Sequence, residues 1–147
     1  TRAADKIAMR VTSIEGSRTW YDKMRKHTFS NKTALKYVNI GNTGAFSYPK
    51  DQTRGTKYIG AIDSVHDVVL VDGRWRVACS ISAFPFIAST GRLMIHDFSR
   101  KNYHPILKWY TMDIEVDTLA VLVPKSNVSM NDLKDHLHRF HNDASRL

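Results

Sequence analysis

Residues Thr56–Phe86 read TKYIGAIDSVHDVVLVDGRWRVACSISAFPF, and the fold predicted from the sequence depends on this stretch. Two runs rich in β-branched and apolar residues flank Asp72 and Gly73, a dipeptide that strongly favours a two-residue hairpin turn. Such a turn pairs Leu70 with Trp75 and places most apolar side chains of both arms on one face. This pattern is typical of two antiparallel strands that cover a core, so we predict a central β-hairpin.

Short strands are also predicted outside this hairpin, at residues 6–14, 35–40, 92–98, 106–110 and 112–123, from alternating or continuous apolar runs. Towards the end of the chain, the apolar residues recur with a helical periodicity. Met130, Leu133, Leu137 and Phe140 fall on one helical stripe behind a capping-box-like start at Ser129. We therefore predict one amphipathic helix over residues 129–144.

The predicted fold class is mainly β, because strands outnumber helices in this pattern. The architecture that fits is an antiparallel β-sandwich or barrel, jelly-roll-like, with one C-terminal amphipathic helix. A chain of 147 residues is long enough for a single domain with its own core. Within residues 1–147 we distinguish a basic half (1–57), the central hairpin (58–86) and the C-terminal helix (129–144).

The net charge of +8 is distributed unevenly along the chain. Residues 1–57 hold twelve Lys and Arg against four Asp and Glu, whereas the basic and acidic residues of the remainder cancel. Such an asymmetry favours a polyanionic partner, either nucleic acid or an anionic membrane surface. Small proteins that bind no polyanion can also be basic, so the charge alone does not select the partner.

Aromatic residues are interleaved with the cations of the basic half. Lys and Arg neutralise phosphates, and aromatic rings stack on unpaired bases, so single-stranded nucleic acid is favoured over duplex. We expect Trp20, Tyr48 and Tyr58 to stack, and Arg74 and Arg76 on the outer face of the hairpin to extend the basic surface. The candidate nucleic-acid-binding residues are Arg18, Trp20, Lys23, Arg25, Lys26, Lys32, Lys36, Tyr48, Lys50, Arg54, Lys57, Tyr58, Arg74 and Arg76.

Catalytic and metal-binding patterns are weak in this sequence. His66 lies opposite Cys79 in the predicted hairpin, but Asp67 would point to the other face of the strand and could not orient the imidazole. Cys79 is expected to be a small buried side chain. No catalytic residue, metal site or cofactor is therefore expected, and the remaining titratable groups are interpreted as solvated: His136, His138 and His141 on the helix, and Asp113, Glu115 and Asp117 on a strand.

Three segments of the chain read like strands known from one group of viral proteins. They are VVLVDGR at Val68–Arg74, GRLMIHDF at Gly91–Phe98, and Tyr103–Leu119, which ends in EVDTL. They resemble segments of the coat and nuclear-shuttle proteins of the geminiviruses, although Gly73 is inserted and the arginine-rich arm of those proteins is missing. The resemblance implies a jelly-roll-like fold, binding of single-stranded DNA or RNA, and self-assembly without catalysis.

The leading hypothesis from the sequence is a non-enzymatic, nucleic-acid-binding and self-associating β-domain of a viral coat, shuttle or movement type. The alternative is a viral matrix or assembly protein whose basic half contacts a membrane or partner subunits. A small hydrolase that uses His66 or the helix histidines is a third hypothesis. The expected partners are nucleic acid, further copies of the chain and an anionic membrane surface, and no small-molecule substrate is inferred.

The expected location is inside the cell, in the cytoplasm or nucleus of a host or in a virion. No apolar run approaches the roughly 18 residues of a membrane span, and the first residues lack the apolar core of a signal peptide.

Overall fold

The computed structural model of the protein describes residues 1–45 and 48–141. The chain divides into two compact units, residues 1–61 and 62–147, and each unit has its own β-sheet. That both units belong to a single domain stays a prediction. The elements of the first unit are α1 (Arg2–Ile7), β1 (Val11–Glu15), α2 (Arg18–Met24), β2 (Thr33–Tyr37) and α3 (Thr56–Ile59).

The first unit is built on a parallel strand pair. Strands β1 and β2 run in the same direction, with Val11 opposite Thr33 and Glu15 opposite Tyr37. Parallel neighbours need a crossover connection, and α2 lies in that crossover. The hydroxyl of Ser17 caps α2 by accepting a hydrogen bond from a backbone amide of the first turn, which fixes where the helix begins after β1.

The second unit contains a four-stranded mixed sheet in the order β3-β4-β6-β5. Strands β3 and β4 are parallel, whereas β4 pairs antiparallel with β6, and β6 antiparallel with β5. The elements of this unit are β3 (His66–Val71), α4 (Arg76–Ala83), β4 (Ile87–Ile95), β5 (Tyr110–Val116), β6 (Leu119–Pro124) and α5 (Met130–His141). Short 3₁₀ helices at Phe84–Phe86 and Lys101–Lys108 complete its described elements.

The prediction of an antiparallel β-sandwich or barrel is wrong, because the protein is mixed α/β. Two of its strand pairs, β1–β2 and β3–β4, are parallel and are connected through helices. Helices α2 and α4 have only seven and eight residues. Such lengths are shorter than the windows of about 11–18 residues in which helical periodicity becomes distinct from strand alternation.

The central hairpin is also wrong, since its second arm is a helix. After β3, the chain passes Asp72 and Gly73 and enters α4 at Arg76, with Trp75 in the left-handed region at φ 50°. The residues that were predicted to alternate instead bury one helical face. The buried side chains of α4 include Val77, Ala78, Ile81 and Ala83.

Two further strands were predicted with wrong limits. The segment 106–110 is mostly part of the 3₁₀ helix Lys101–Lys108, and the single strand predicted over 112–123 is two strands joined by a turn. Val116 pairs with Leu119 in that hairpin, so Asp117 and Thr118 form a two-residue turn. Asp117 has φ 53°, as the primed turns of β-hairpins require.

The core of the second unit lies between its sheet and its helices. Leu93 and Ile95 of β4 and Leu122 of β6 are fully buried, and α4 packs against α5. The predicted C-terminal helix corresponds to α5, whose residues Leu133 and Phe140 are buried. Residues 142–144 of that prediction lie outside the described residues.

No helix of the described residues could span a membrane. The longest of them, α5, has 12 residues and is rich in polar side chains, and none of the others combines the length and apolar character of a membrane span.

Gly91 occupies a point of close backbone approach in the parallel pair β3–β4. A Cβ atom at this position would lie 2.9 Å from the carbonyl oxygens of both Asp67 and Ala88, and 2.8 Å from the side chain of Ile87. The strand pairing shifts its register at the same place, between His66 and Val68. Only glycine fits this irregular pairing without displacing backbone.

We therefore expect Gly91→Ala to lower the free energy of unfolding by about 1–3 kcal/mol, the usual range for overpacking a buried site. Urea denaturation followed by circular dichroism measures the change. Gly44→Ala is the matched control, because a Cβ at Gly44 meets nothing within 4 Å. Equal destabilisation by the two substitutions would contradict the steric explanation.

Candidate functional site

The carboxyl ends of β3 and β4 carry several ionisable side chains. Because these strands are parallel, their carboxyl ends lie at the same edge of the sheet, which is where open α/β sheets generally bind ligands. Asp72 directly follows β3, and His96 and Asp97 directly follow β4. The topology thus brings together residues that are about two dozen positions apart in the sequence.

His96 is held between two carboxylates and a hydroxyl group. Its Nδ1 atom lies 3.1 Å from Oδ1 of Asp72 and 3.4 Å from Oδ1 of Asp97. Its Nε2 atom lies 3.3 Å from Oγ1 of Thr118, in the β5–β6 turn. The side chain is 47% exposed, so the imidazole is oriented by protein groups and remains accessible from solvent.

The β5–β6 turn is fixed to the loop that follows β4. The backbone amide of Phe98 donates a hydrogen bond of 2.7 Å to the carbonyl oxygen of Thr118. Asp97, between His96 and Phe98, has φ 57°. A left-handed conformation at a non-glycine residue is costly and is often found at functional sites. The backbone therefore holds His96 and Thr118 in a defined relation.

Arg76 lies beneath this cluster with its side chain only 5% exposed. Its guanidinium donates to the carbonyl oxygen of Gly73 at 3.1 Å, to that of Asp72 at 3.3 Å, and to that of His96. It also forms ion pairs with carboxylate oxygens of Asp72 at 3.3 Å and of Asp97 at 3.2 Å. One buried cation thus ties the end of β3 to the end of β4 and balances both carboxylates.

Two further side chains complete the surroundings of Arg76 and Asp97. Arg100 forms an ion pair with Asp97 at 3.3 Å from the solvent side. The ring of Tyr103 lies 5.1 Å from the Arg76 guanidinium, which is a cation–π distance. The hydroxyl of Tyr103 is fully buried and has no hydrogen-bond partner among residues 1–45 and 48–141.

In the first unit, Glu15 occupies the equivalent position at the carboxyl end of a parallel strand. It is the last residue of β1, and its Oε1 atom accepts a hydrogen bond of 2.7 Å from the amide of Ser17. Burial raises the pKa of the Glu15 carboxyl above its usual range. Gly16 follows, and a Cβ there would lie 3.1 Å from the side chain of Ile40, so the chain turns closely at this point.

The predicted nucleic-acid-binding residues of the basic half lie in the first unit; three of them are on α2, and Arg25 directly follows that helix. Trp20 is 51% exposed, and the Nζ atom of Lys23 lies 4.6 Å from its ring. Arg18 and Arg25 are exposed and form ion pairs with Asp22 at 2.8 and 3.9 Å.

The other residues of that set lie outside α2. Lys26, Lys50, Lys57 and Tyr48 are exposed, Lys32, Lys36 and Tyr58 are half-buried, and exposed Arg54 pairs with Asp51 at 3.4 Å. Contact of these residues with nucleic acid, and self-association of the chain, stay predictions.

The position predicted for Arg74 and Arg76, on the outer face of a hairpin, was partly wrong. Arg74 is half-buried in the loop before α4, and Arg76 is buried instead of lying on the outer face of a hairpin. The reason is the helical conformation of the segment, which turns Arg76 toward the ends of β3 and β4.

The residues considered for a hydrolase do not form a catalytic arrangement. His66 contacts the hydroxyl of Ser64 at 3.2 Å, while Cys79 lies on α4 with its thiol near the carbonyl oxygen of Arg74 at 3.4 Å. Burial raises the pKa of the Cys79 thiol to about 12, so the thiolate is scarce near neutral pH.

Two of the titratable side chains that were weighed for metal binding have structural contacts. His136 lies beside Asp132 and Lys108, and Asp113 pairs with Arg92 at 2.9 Å. Among the described residues, no group of three or more His, Cys, Asp and Glu side chains is placed to hold a metal ion.

Sequence reasoning missed the residues that the structure brings together. The available signal was an acidic residue directly after an apolar run, as in VVLVD at 68–72 and LMIHD at 93–97. Reading both runs as buried parallel strands would have placed Asp72 and Asp97 at one edge of a sheet. Thr118 carries no comparable signal.

The comparisons with known proteins concern the fold. No family model matches the chain, and no curated protein matches it. Among solved structures, it is similar to a methyltransferase-like protein from Silicibacter pomeroyi DSS-3, with a TM-score of 0.70 and 23% sequence identity. The alignment covers 95% of this chain and 82% of that chain.

This likeness overturns the resemblance to geminivirus proteins, which rested on three short segments. The predicted coat, shuttle, movement, capsid and matrix roles are wrong, and the expectation of a non-enzymatic protein is contradicted. At 23% identity the likeness concerns architecture, so the chain shares its α/β fold with that methyltransferase-like protein.

Proposed function

We propose that the chain belongs to a methyltransferase that takes its methyl group from S-adenosylmethionine. The observation that carries the proposal is the placement of ionisable side chains at the carboxyl ends of parallel strands in each unit: Glu15 ends β1 in the first unit, whereas Asp72 follows β3, and His96 and Asp97 follow β4, in the second. Ligands of open α/β sheets bind at such strand ends. The similarity to a methyltransferase-like protein supports this reaction class over other uses of the fold.

Glu15 suits the ribose of such a cofactor. A carboxylate has about four acceptor positions; the amide of Ser17 uses one of them at 2.7 Å, and the amide of Gly16 uses another. The remaining positions can accept the two adjacent hydroxyl groups of a ribose, as an acidic residue commonly does in dinucleotide-binding α/β folds. When bound, the cofactor supplies a methyl group on a positively charged sulfur, which is ready for nucleophilic attack.

In the second unit, considered by itself, His96 has the contacts of a general base, because a group that contacts its Nε2 atom can pass a proton to it. Asp72 contacts Nδ1 of the imidazole at 3.1 Å, which orients the ring. Arg76 holds Asp72 and the His96 carbonyl in place. Methyl donors of this kind are present inside cells, so an intracellular location remains part of this proposal.

The first test is equilibrium binding of S-adenosylmethionine and S-adenosylhomocysteine by isothermal titration calorimetry. Glu15→Gln should weaken binding between about tenfold and a hundredfold, since hydrogen bonds to a charged group contribute roughly 1.5–3 kcal/mol. Glu115→Gln, at an exposed residue of β5, is the matched control and should bind like the original protein. Thermal unfolding of both variants checks that the fold is kept.

Two results would contradict the proposal. One is the absence of saturable binding of either compound by the unaltered protein at concentrations up to about 1 mM, which corresponds to less than roughly 4 kcal/mol of binding energy. The other is equal binding by the original protein and the Glu15→Gln variant, which would show that this carboxylate takes no part in binding the cofactor.

A further inference from the structure

The tautomer of His96 follows from its neighbours. An ionised carboxylate only accepts hydrogen bonds, and Nδ1 faces the carboxylates of both Asp72 and Asp97. The ring proton of neutral His96 therefore lies on Nδ1. This leaves the lone pair of Nε2 as the acceptor, directed toward Thr118.

The hydroxyl of Thr118 already makes the contact that a reacting hydroxyl would need. With Nε2 as the acceptor, the O–H of Thr118 donates across the 3.3 Å separation. Thr118 and His96 are both exposed, so a second hydroxyl group can reach Nε2 from solvent and replace that of Thr118. General bases require this contact with the proton that they remove, directly or through one water.

The charges around His96 balance in pairs. The charged groups that face the ring are Asp72 and Asp97, and these are paired with Arg76 and Arg100. Two carboxylates and two guanidiniums cancel, so the neutral imidazole lies in a balanced environment. Because Nδ1–H faces the carboxylates, with oxygens of Asp72 and Asp97 at 3.1 and 3.4 Å, Nε2 is the ring atom that can take up the proton of an acceptor group.

We propose that the methyl acceptor is a neutral hydroxyl group, of an alcohol or a phenol, which donates to Nε2 of His96 in place of Thr118. The inference rests on the proposed function. In the step, a lone pair of the acceptor oxygen forms the new C–O bond, and the C–S bond breaks with its electrons moving to sulfur. The O–H proton passes to Nε2. A neutral amine or a thioether attacks through a free lone pair and needs no base beforehand, whereas a hydroxyl does.

The test uses ¹³C-methyl-labelled S-adenosylmethionine and a panel of matched acceptors: catechol, 1,2-phenylenediamine, 1,2-bis(methylthio)benzene, and aliphatic analogues with the same three groups. The ¹³C chemical shift of the product distinguishes methyl groups on oxygen, nitrogen and sulfur. We expect label on oxygen alone. Label on nitrogen or sulfur, or no transfer to any hydroxyl probe, would overturn the inference.

The roles of individual side chains are tested on the hydroxyl probe that the unaltered protein methylates. His96→Gln should lower kcat by about 10²–10⁴-fold. Asp72→Asn should lower kcat less, because Asp97 still faces Nδ1. His66→Gln, at the start of β3, is the matched control and should leave kcat unchanged.

Thr118→Val gives a readout that a structural role would not produce. It keeps the shape of the side chain and removes the hydroxyl that competes for Nε2, so KM for the hydroxyl probe should fall while kcat is kept. A higher KM would contradict the proposed acceptor position.

Binding of S-adenosylmethionine separates the two proposals. Absence of binding would contradict the proposed function, whereas binding with methylation of nitrogen would contradict only the present inference.

Discussion

Replacing Arg76 with alanine is expected to lower the free energy of unfolding by about 2–4 kcal/mol, because each buried polar group left without its partner costs about 1–3 kcal/mol. The guanidinium is 5% exposed and serves five acceptors at the carboxyl ends of β3 and β4. Its loss leaves the carboxylate of Asp97 without its buried cation and three carbonyl oxygens without a donor. Urea denaturation monitored by circular dichroism measures the effect.

Arg92→Ala is the matched control for this prediction. Arg92 also lies in the second unit and pairs with an aspartate at 2.9 Å, but both side chains are 38% exposed. Exposed pairs contribute at most about 1 kcal/mol. Arg76→Lys should recover only part of the stability, because an ammonium group cannot reproduce the planar set of donors. Equal effects of Arg76→Ala and Arg92→Ala would contradict the role assigned to Arg76.

The same residue shows why the site could not be predicted from the sequence. Arg76 was placed on the exposed face of a hairpin because Asp72 and Gly73 are a strong hairpin signal and the residues beyond them are rich in apolar types. The segment has a second periodicity, in which Val77, Ala78 and Ile81 share a helical face. Packing of that face in the core decides between the two, and local pattern alone does not contain this information.

The local sequence pattern was sufficient to predict an element where that element has one clear hydrophobic periodicity or one buried face. Strand β3 falls in the first arm of the predicted hairpin, β2 overlaps the run predicted at 35–40, and α5 lies within the predicted helix. Which strands pair with each other could not be predicted from such local patterns. Sheet order β3-β4-β6-β5 brings Thr118 to His96 across 22 positions of sequence, and nothing in either local stretch specifies that contact.

The second large effect is expected at Trp109, which is 2% exposed and precedes β5. Trp109→Ala should lower the free energy of unfolding by about 3–5 kcal/mol, as is typical when a buried tryptophan is truncated. The indole N–H also donates a hydrogen bond of 2.7 Å to Asp132 at the start of α5. Lys108 donates to the other oxygen of that carboxylate at 2.6 Å, so two neighbouring residues hold the first turn of the helix.

Measuring stability at different pH values distinguishes the contribution of the hydrogen bond between Trp109 and Asp132 from that of apolar burial. Lys108 and the indole N–H of Trp109 hold the pKa of Asp132 below its usual range. Because the folded-state pKa is lowered, the stability that this carboxylate contributes is fully present above its unfolded-state value, and it is lost as pH falls through the folded-state value. Trp109→Phe keeps a buried ring but removes the donor, so its stability deficit should shrink as the pH is lowered through this range.

Trp20→Ala is the control for losing any tryptophan. The Trp20 side chain is 51% exposed, so its removal should lower the free energy of unfolding by at most about 1 kcal/mol.

Hydrogen exchange locates the effect of Trp109→Phe, because amides in the first turn of α5 should exchange faster while those of β4 and β6 keep their protection. A stability deficit independent of pH, or protection unchanged in α5, would assign Trp109 a purely apolar role. Either result would show that the hydrogen bond from the Trp109 indole to Asp132 adds no stability to α5 beyond the burial of apolar side chains such as Leu133 and Phe140.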